Sequence, residues 1–257
     1  NTTLYNVPDI QDVQTMFEII KDIGGKVTRK NNKIIVDTSK IHTYEIPEEL
    51  MRKMRSSVIL AGAIIGKYHK ANFSYPGGCE IGSRPIDLHL KGFEKLGITT
   101  KEEYGEIICS TEKIEGTSIN LDFPSVGATE NIILAACLAE GITILTNAAK
   151  EPEIEDMVKF LNKAGAKIKG AGTDRVEITG VKKLAEISYN IMPDRIEAGT
   201  YLVAGAITGG NIKITNANPK HIEPILNKLE EANCTLDVGK NYVAINAHKR
   251  IKAVDIK

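Results

Sequence analysis

Ala128-Thr-Glu-Asn-Ile-Ile-Leu-Ala-Ala-Cys-Leu-Ala-Glu-Gly141, followed at once by Ile142-Thr-Ile-Leu-Thr146, is the stretch on which the fold turns. Its first part is apolar on most faces and closes on glycine, so it reads as a helix surrounded by protein rather than one lying on a surface. The second part is short and rich in β-branched residues, the pattern of a strand. Further on, Val158-Lys-Phe-Leu-Asn-Lys-Ala-Gly165 ends an amphipathic helix, and Arg175-Val-Glu-Ile-Thr179 is the second of two short strands joined by a turn. The whole reads as a βαβαββ unit with one buried and one amphipathic helix.

The unit recurs. Phe17-Glu-Ile-Ile-Lys-Asp-Ile-Gly24, Gly92-Phe-Glu-Lys-Leu-Gly97 and Ile225-Leu-Asn-Lys-Leu-Glu-Glu-Ala-Asn233 end like the helix closing at Gly165, and the closing residues are spaced by 73, 68 and 68. Gly or Asn is what a left-handed helix terminus requires. Ser57 to Gly66 and Ala198 to Gly209 repeat the apolar helix, each followed by a strand, Ala71 to Tyr75 and Asn211 to Thr215. Asn1 to Val7 aligns with those strands, and Asn6 falls where Asn147 and Asn216 stand. A period of this length is a repeat architecture. Helices buried on several sides need sheets around them, which predicts an α/β (α+β) fold with helices inside and sheets outside in three-fold arrangement.

Lys+Arg and Asp+Glu both number 33 in 257 residues, so no bulk charge draws the chain to nucleic acid or to a membrane surface. The longest apolar run, Val58 to Gly66, is too short to span a bilayer. The four cysteines (79, 109, 137, 234) show no paired spacing for a disulfide, a metal or CxxC chemistry, which predicts a reducing, cytoplasmic setting and no metal or cofactor. Cys109, Cys137 and Cys234 read as core residues.

Local features must therefore carry any anion binding. Pro76-Gly-Gly-Cys-Glu-Ile-Gly-Ser-Arg-Pro-Ile-Asp-Leu-His-Leu90 sets Cys79 among glycines, which predicts a mobile lid. Pro85 suits the first position of a helix over 85–96, with Arg84 at its cap, so a guanidinium and a helix N-terminus share one end beside a thiol. A neighbouring cation lowers a thiol pKa and makes it a usable acid or nucleophile. Arg55 heads the apolar helix, where a cation is unfavourable unless an anion joins it. Ser125 is an N-cap, and Gly127 just beyond lets a phosphate or a base approach the backbone. Asp87 and His89 fall in the first turns after Pro85, His89 being either a polar residue satisfied in the fold or one near a substrate or hinge; Asp194, Arg195 and Glu197 lie near the start of the last apolar helix, either paired with one another or placed at a hinge beside a substrate.

The Pro76–Leu90 string resembles the Cys-loop of the UDP-N-acetylglucosamine 1-carboxyvinyltransferases, of the enolpyruvyltransferase family. The likeness continues through Ser125-Val-Gly-Ala-Thr129, Glu151-Pro-Glu-Ile154, Gly172-Thr-Asp-Arg175 and Pro193-Asp-Arg-Ile-Glu-Ala-Gly-Thr200. It implies the inside-out α/β barrel of that family, with residues 1–192 as most of a Cys-loop domain and 193–257 as one repeat of a second domain. It implies transfer of enolpyruvate from phosphoenolpyruvate to the 3′-hydroxyl of UDP-N-acetylglucosamine, with no cofactor, and reaction of Cys79 with an epoxide such as fosfomycin. Cys79 would protonate phosphoenolpyruvate, form an adduct with it, or assist product release. Arg55, Arg84, Pro85, Ile86, Asp87, Leu88, Ser125, Val126 and Gly127 would bind the nucleotide sugar. Many relatives carry Lys just before Ser125, where this chain has Phe123-Pro124. Against the family pattern the chain reads as shortened at both ends: the first repeat lacks its opening strand and buried helix, and a C-terminal part with a general-base Asp is missing. That reading predicts self-association or binding of a complementing C-terminal fragment. The alternatives are a non-catalytic nucleotide-sugar-binding fragment and a relative of the shikimate-pathway enolpyruvyltransferase.

Overall fold

The computed structural model describes residues 1–31, 33–78, 85–247 and 250–256. The chain packs as two bodies, Asn1–Ile191 and Met192–Lys257.

The repeat spanning 118–179 shows the unit in full. Strand Ser118–Asn120 leads through helix Val126–Ala136 to strand Ile142–Thr146, and helix Pro152–Lys163 then leads to strands Lys167–Lys169 and Arg175–Thr179. The sheet order places Arg175–Thr179 between Ile142–Thr146 and Lys167–Lys169, antiparallel to both, with Ser118–Asn120 added parallel at the edge. Alternate residues face inward: Thr143, Leu145, Val176 and Ile178 are buried while their neighbours are not. Those inward faces pack on the helices. Helix Val126–Ala136 is buried on most sides, through Ala128, Ile132, Ile133, Ala135 and Ala136. Helices are inside and sheets outside, as the apolar pattern predicts.

The repeat before it has the same plan, with helix Ile59–Tyr68, strand Lys70–Ser74, helix Asp87–Lys95 and strands Thr99–Glu103 and Glu106–Ser110. Its opening strand is reduced to one parallel bridge, Glu45 to Asn72. In the first repeat, strand Thr2–Tyr5 pairs antiparallel with Lys33–Asp37, which pairs with Lys26–Lys30. The place of an opening strand beside Thr2–Tyr5 is taken by a segment from outside this repeat. Ser188–Asn190 lies parallel to Thr2–Tyr5, with Thr3 opposite Ser188 and Tyr5 opposite Asn190. A strand from the far end of the same body fills the place and satisfies an edge that would otherwise be open.

The repeat period is written in the backbone dihedrals. Gly24, Gly97, Gly165 and Asn233 all have positive φ after their helices, and so do Asn6, Asn147 and Asn216 after the equivalent strands. Asn6 Nδ2 donates to the Ile191 carbonyl at 2.9 Å, and Asn147 Nδ2 donates to the Leu121 carbonyl at 2.8 Å. One side chain thus performs the same turn-closing task twice.

The second body holds strands Asn211–Thr215, Thr235–Val238 and Tyr242–Asn246, with Tyr242–Asn246 central, and helices Arg195–Ile207 and Glu223–Glu231. Leu202, Ala206, Ile222, Leu226, Val243 and Ile245 belong to its own core. On helix Arg195–Ile207, Ile196, Tyr201, Val203 and Ile207 are exposed. Among the described residues no helix is long and apolar enough to cross a membrane.

Candidate functional site

Three helix starts in the first body bring together segments far apart in sequence. Arg55 opens a 3-10 turn, Arg55–Val58, that runs into helix Ile59–Tyr68. Ser57 closes that turn, its Oγ donating to the carbonyls of Met51 at 2.9 Å and Met54 at 2.8 Å. Half-buried Arg55 donates from Nη2 to the carbonyl of Pro85 at 3.3 Å.

That carbonyl is available because the next helix begins later than its sequence suggests. Pro85 is not the first helical residue; the helix is Asp87–Lys95, with Ile86 at its cap. The Ile86 carbonyl takes the first helical bonds, from the N–H groups of His89 at 2.9 Å and Leu90 at 3.2 Å. The physical reason is burial: Ile86 is 1% exposed and Leu88 5%, and seating both in the core sets the phase of the helix. Their side chains are therefore turned away from solvent, leaving only their backbone to meet a ligand. Asp87 is exposed, and Lys91, 3.9 Å from it, makes its closer pair with Asp122 at 2.8 Å.

The third start is Ser125. It is the N-cap of helix Val126–Ala136, in extended conformation, and its Oγ accepts from Ala128 N at 3.4 Å. Gly127 meets His89 there: a Cβ on Gly127 would stand 3.1 Å from His89 Cε1 and 3.4 Å from Nε2. Phe123, two residues ahead of the cap, is 56% exposed. His89 is 5% exposed, and burial first, then the Arg55 guanidinium, push its pKa from 6.5 down to about 4 against a smaller upward pull from Asp87. Its Nδ1 lies 2.7 Å from Nδ2 of Asn131, a residue that is 0% exposed. Sequence reasoning misses Asn131, whose signal is an amide beside Thr129 and Glu130 at the centre of a largely apolar helix.

Cys79 and Arg84, the thiol and the expected cap, lie outside the described residues. The glycines leading to Cys79 have another reason for being there than looseness. A Cβ on Gly77 would collide with the Arg52 carbonyl oxygen, and Gly77 N–H donates to the Met51 carbonyl at 3.2 Å. Gly78 has φ of +71° and lies against the Arg55 backbone N. The approach to Cys79 is thus packed onto the segment that carries Arg55. Cys109, Cys137 and Cys234 are buried, and desolvation pushes the thiols of Cys109 and Cys137 up to about 12, so neither is a nucleophile near neutrality.

Asp194, Arg195 and Glu197 belong to the second body. The acid caps helix Arg195–Ile207: Asp194 Oδ1 accepts from Ile196 N at 2.8 Å and Glu197 N at 3.0 Å. A carboxylate on two free N–H groups is a helix cap, and this accounts for Asp194 without an ion pair. Back in the first body, desolvation raises the Glu130 pKa to about 7, with the charges of Glu153 and Glu151 adding to it. Among the described residues no cluster of three or more His, Cys, Asp or Glu is placed to hold a metal ion.

Comparison with known proteins fits this geometry. The family model of EPSP synthase (3-phosphoshikimate 1-carboxyvinyltransferase) matches residues 1–257. The chain belongs to the EPSP synthase family. Within that family it is 52% identical over 255 residues to UDP-N-acetylglucosamine 1-carboxyvinyltransferase 2 of Caldanaerobacter subterraneus subsp. tengcongensis, covering 99% of this chain and 61% of that protein. It is 48% identical over 252 residues to UDP-N-acetylglucosamine 1-carboxyvinyltransferase 2 of Clostridium acetobutylicum, covering 98% of this chain and 60% of that protein. The chain spans about three fifths of the length of these curated relatives. Among solved structures, the enolpyruvyl transferase NikO from Streptomyces tendae superposes with a TM-score of 0.84 at 22% identity, over 95% of this chain and 59% of that one. EPSP synthase from Acinetobacter baumannii gives a TM-score of 0.70 at 18% identity, over 98% of this chain and 61% of that one. Both have the EPSP synthase family fold seen here.

Proposed function

We propose that this chain is the Cys-loop part of a UDP-N-acetylglucosamine 1-carboxyvinyltransferase, with residues 1–192 forming most of the Cys-loop domain. The reaction is transfer of enolpyruvate from phosphoenolpyruvate to the sugar 3′-hydroxyl, with release of phosphate. Protonation at C3 makes C2 of phosphoenolpyruvate electrophilic, the hydroxyl adds to C2 as it gives up its proton, and the tetrahedral ketal expels phosphate as C3 loses a proton, which restores the double bond. Cys79 is the thiol at the reacting end. The observation that carries the reading is the junction of Arg55 with Pro85 and of His89 with Gly127, because it unites the three segments that the family likeness assigns to the nucleotide sugar.

Both substrates are polyanions. Two helices, Asp87–Lys95 and Val126–Ala136, turn their N-terminal ends to this junction, where free N–H groups and the positive dipole end favour phosphate. Arg55, Arg84, the backbone of Pro85 to Leu88, and Ser125 to Gly127 supply the contacts. The relatives named for UDP-N-acetylglucosamine, at 45–52% identity, favour that substrate over shikimate 3-phosphate. The buried thiols support a reducing, cytoplasmic setting. Exposed Ile196, Tyr201, Val203 and Ile207 support association of the second body with another copy or with a complementing C-terminal segment.

Calorimetric titration of the chain tests the reading. UDP-N-acetylglucosamine binds, shikimate 3-phosphate does not, and Arg55→Ala weakens the former by about 1.5–3 kcal/mol, the scale of a hydrogen bond to a charged group. Preference for shikimate 3-phosphate, or unchanged affinity in Arg55→Ala, overturns it.

A further inference from the structure

We propose that Asn131 is a positioning residue: its amide holds His89 as the tautomer protonated on Nε2, and so presents that N–H to an anionic oxygen of a ligand seated beside Gly127. The nature of the ligand rests on the nucleotide-sugar reading above, whereas the tautomer rests on hydrogen-bond logic alone.

The logic begins one helix away. Gly62 N–H can only donate and the Val58 carbonyl can only accept, and these are groups that a helix would join directly, four residues apart. The Asn131 amide bridges them: Oδ1 accepts from Gly62 N at 2.8 Å, and Nδ2 donates to Val58 O at 2.9 Å. Turning the amide over would set NH2 against N–H and oxygen against oxygen, so its orientation is determined. The second Nδ2 hydrogen is then directed at His89 Nδ1, 2.7 Å away. Nδ1 must accept it, and the neutral ring carries its proton on Nε2.

Nε2 is the atom left over. His89 is 5% exposed, yet Nε2 has no hydrogen-bond partner among the described residues. The ring edge lies beside Gly127, in the first turn of helix Val126–Ala136, where a Cβ would stand 3.1 Å from Cε1 and 3.4 Å from Nε2. An N–H that the surrounding protein does not engage is open to an acceptor brought by a ligand. The Arg55 guanidinium and the helix end both favour a negative oxygen in that position.

The test is two-bond proton–nitrogen NMR of the full chain labelled with 15N-histidine, the His89 signals being those lost in His89→Gln. Nδ1 is expected in the unprotonated range and Nε2 in the protonated range, with Nε2 alone shifting when UDP-N-acetylglucosamine is added. In Asn131→Asp the carboxylate can only accept, so the proton of the neutral ring moves to Nδ1 and affinity falls about tenfold, the loss of one hydrogen bond to a charged oxygen. Protonated Nδ1 in the unsubstituted chain overturns the proposal, and that measurement stands even if Asn131→Asp does not fold. Ligand binding seen at other resonances with His89 unmoved also overturns it while leaving the functional reading intact. No binding at all, with the expected tautomer, overturns the functional reading and the ligand half of the proposal together.

Discussion

A Cβ added to Gly62 would stand 2.6 Å from Oδ1 of Asn131, the same atom that accepts the Gly62 N–H at 2.8 Å. The glycine and the amide are matched, because the close approach of two buried helices leaves no room for even a methyl group. Asn131 therefore braces helix Ile59–Tyr68, helix Val126–Ala136 and His89 on helix Asp87–Lys95 at one buried point.

Gly62→Ala is expected to destabilise the chain. Alanine gains about 1 kcal/mol of helix propensity over glycine, but here its methyl would also collide with the Asn131 backbone oxygen. Overpacking of this kind costs about 1–3 kcal/mol, and more where backbone must move. With the strained Asn131 bonds added, the net loss should be about 2 kcal/mol. Urea unfolding should show a lower midpoint at unchanged slope, and a midpoint at or above the parent's would contradict the packing described.

Gly77→Ala and Gly105→Ala separate collision from conformation. Gly105 has φ of +83° with nothing within 4 Å of its would-be Cβ, so alanine there costs only the left-handed penalty, about 1–2 kcal/mol. Gly77 abuts the Arg52 carbonyl, so alanine must displace backbone next to Arg55. The prediction is a larger stability loss at 77 than at 105, together with weaker nucleotide-sugar binding at 77 alone. Equal effects on both readouts would mean that Gly77 serves only flexibility.

Glu130 makes stability fall as pH rises. Its folded pKa is raised from the ordinary glutamate value to about 7, so between those values the folded chain holds a proton that the unfolded chain releases. The contribution is fully present below the unfolded pKa and is lost as pH climbs through about 7, on the order of 3 kcal/mol at most. His89 acts oppositely from about 4 to 6.5, since its folded pKa is depressed and the unfolded chain binds the extra proton. Between 6.5 and 7 the glutamate acts alone. Glu130→Gln should flatten the melting-temperature profile from pH 6.5 to 8 and raise stability at pH 8. An unaltered profile would show that Glu130 is not buried as described.

Much of this was readable from residue types. The repeat was visible because a helix that ends on a left-handed residue needs Gly or Asn, and the dihedrals of Gly24, Gly97, Gly165 and Asn233 bear that out. Ser125 announced itself as a cap because a hydroxyl ahead of an apolar helix has few other uses. The start of helix Asp87–Lys95 was misplaced, since the proline signal is local and the burial of Ile86 and Leu88 overrides it. The glycines before Cys79 looked like flexibility because sequence cannot show what lies opposite an absent side chain.

Sequence by itself determined the βαβαββ period, the division into buried and amphipathic helices, and the family, all of which depend on residue types at regular spacing. Only the tertiary structure decided which ends meet. It set Arg55 against Pro85 and His89 against Gly127, supplied Ser188–Asn190 as the edge of the first sheet, and placed one amide among Gly62, Val58 and His89. The reason is that periodicity is a property of neighbours along the chain. Hydrogen-bond complementarity between residues 42 to 185 positions apart exists only once packing has brought them within 3 Å or so of one another.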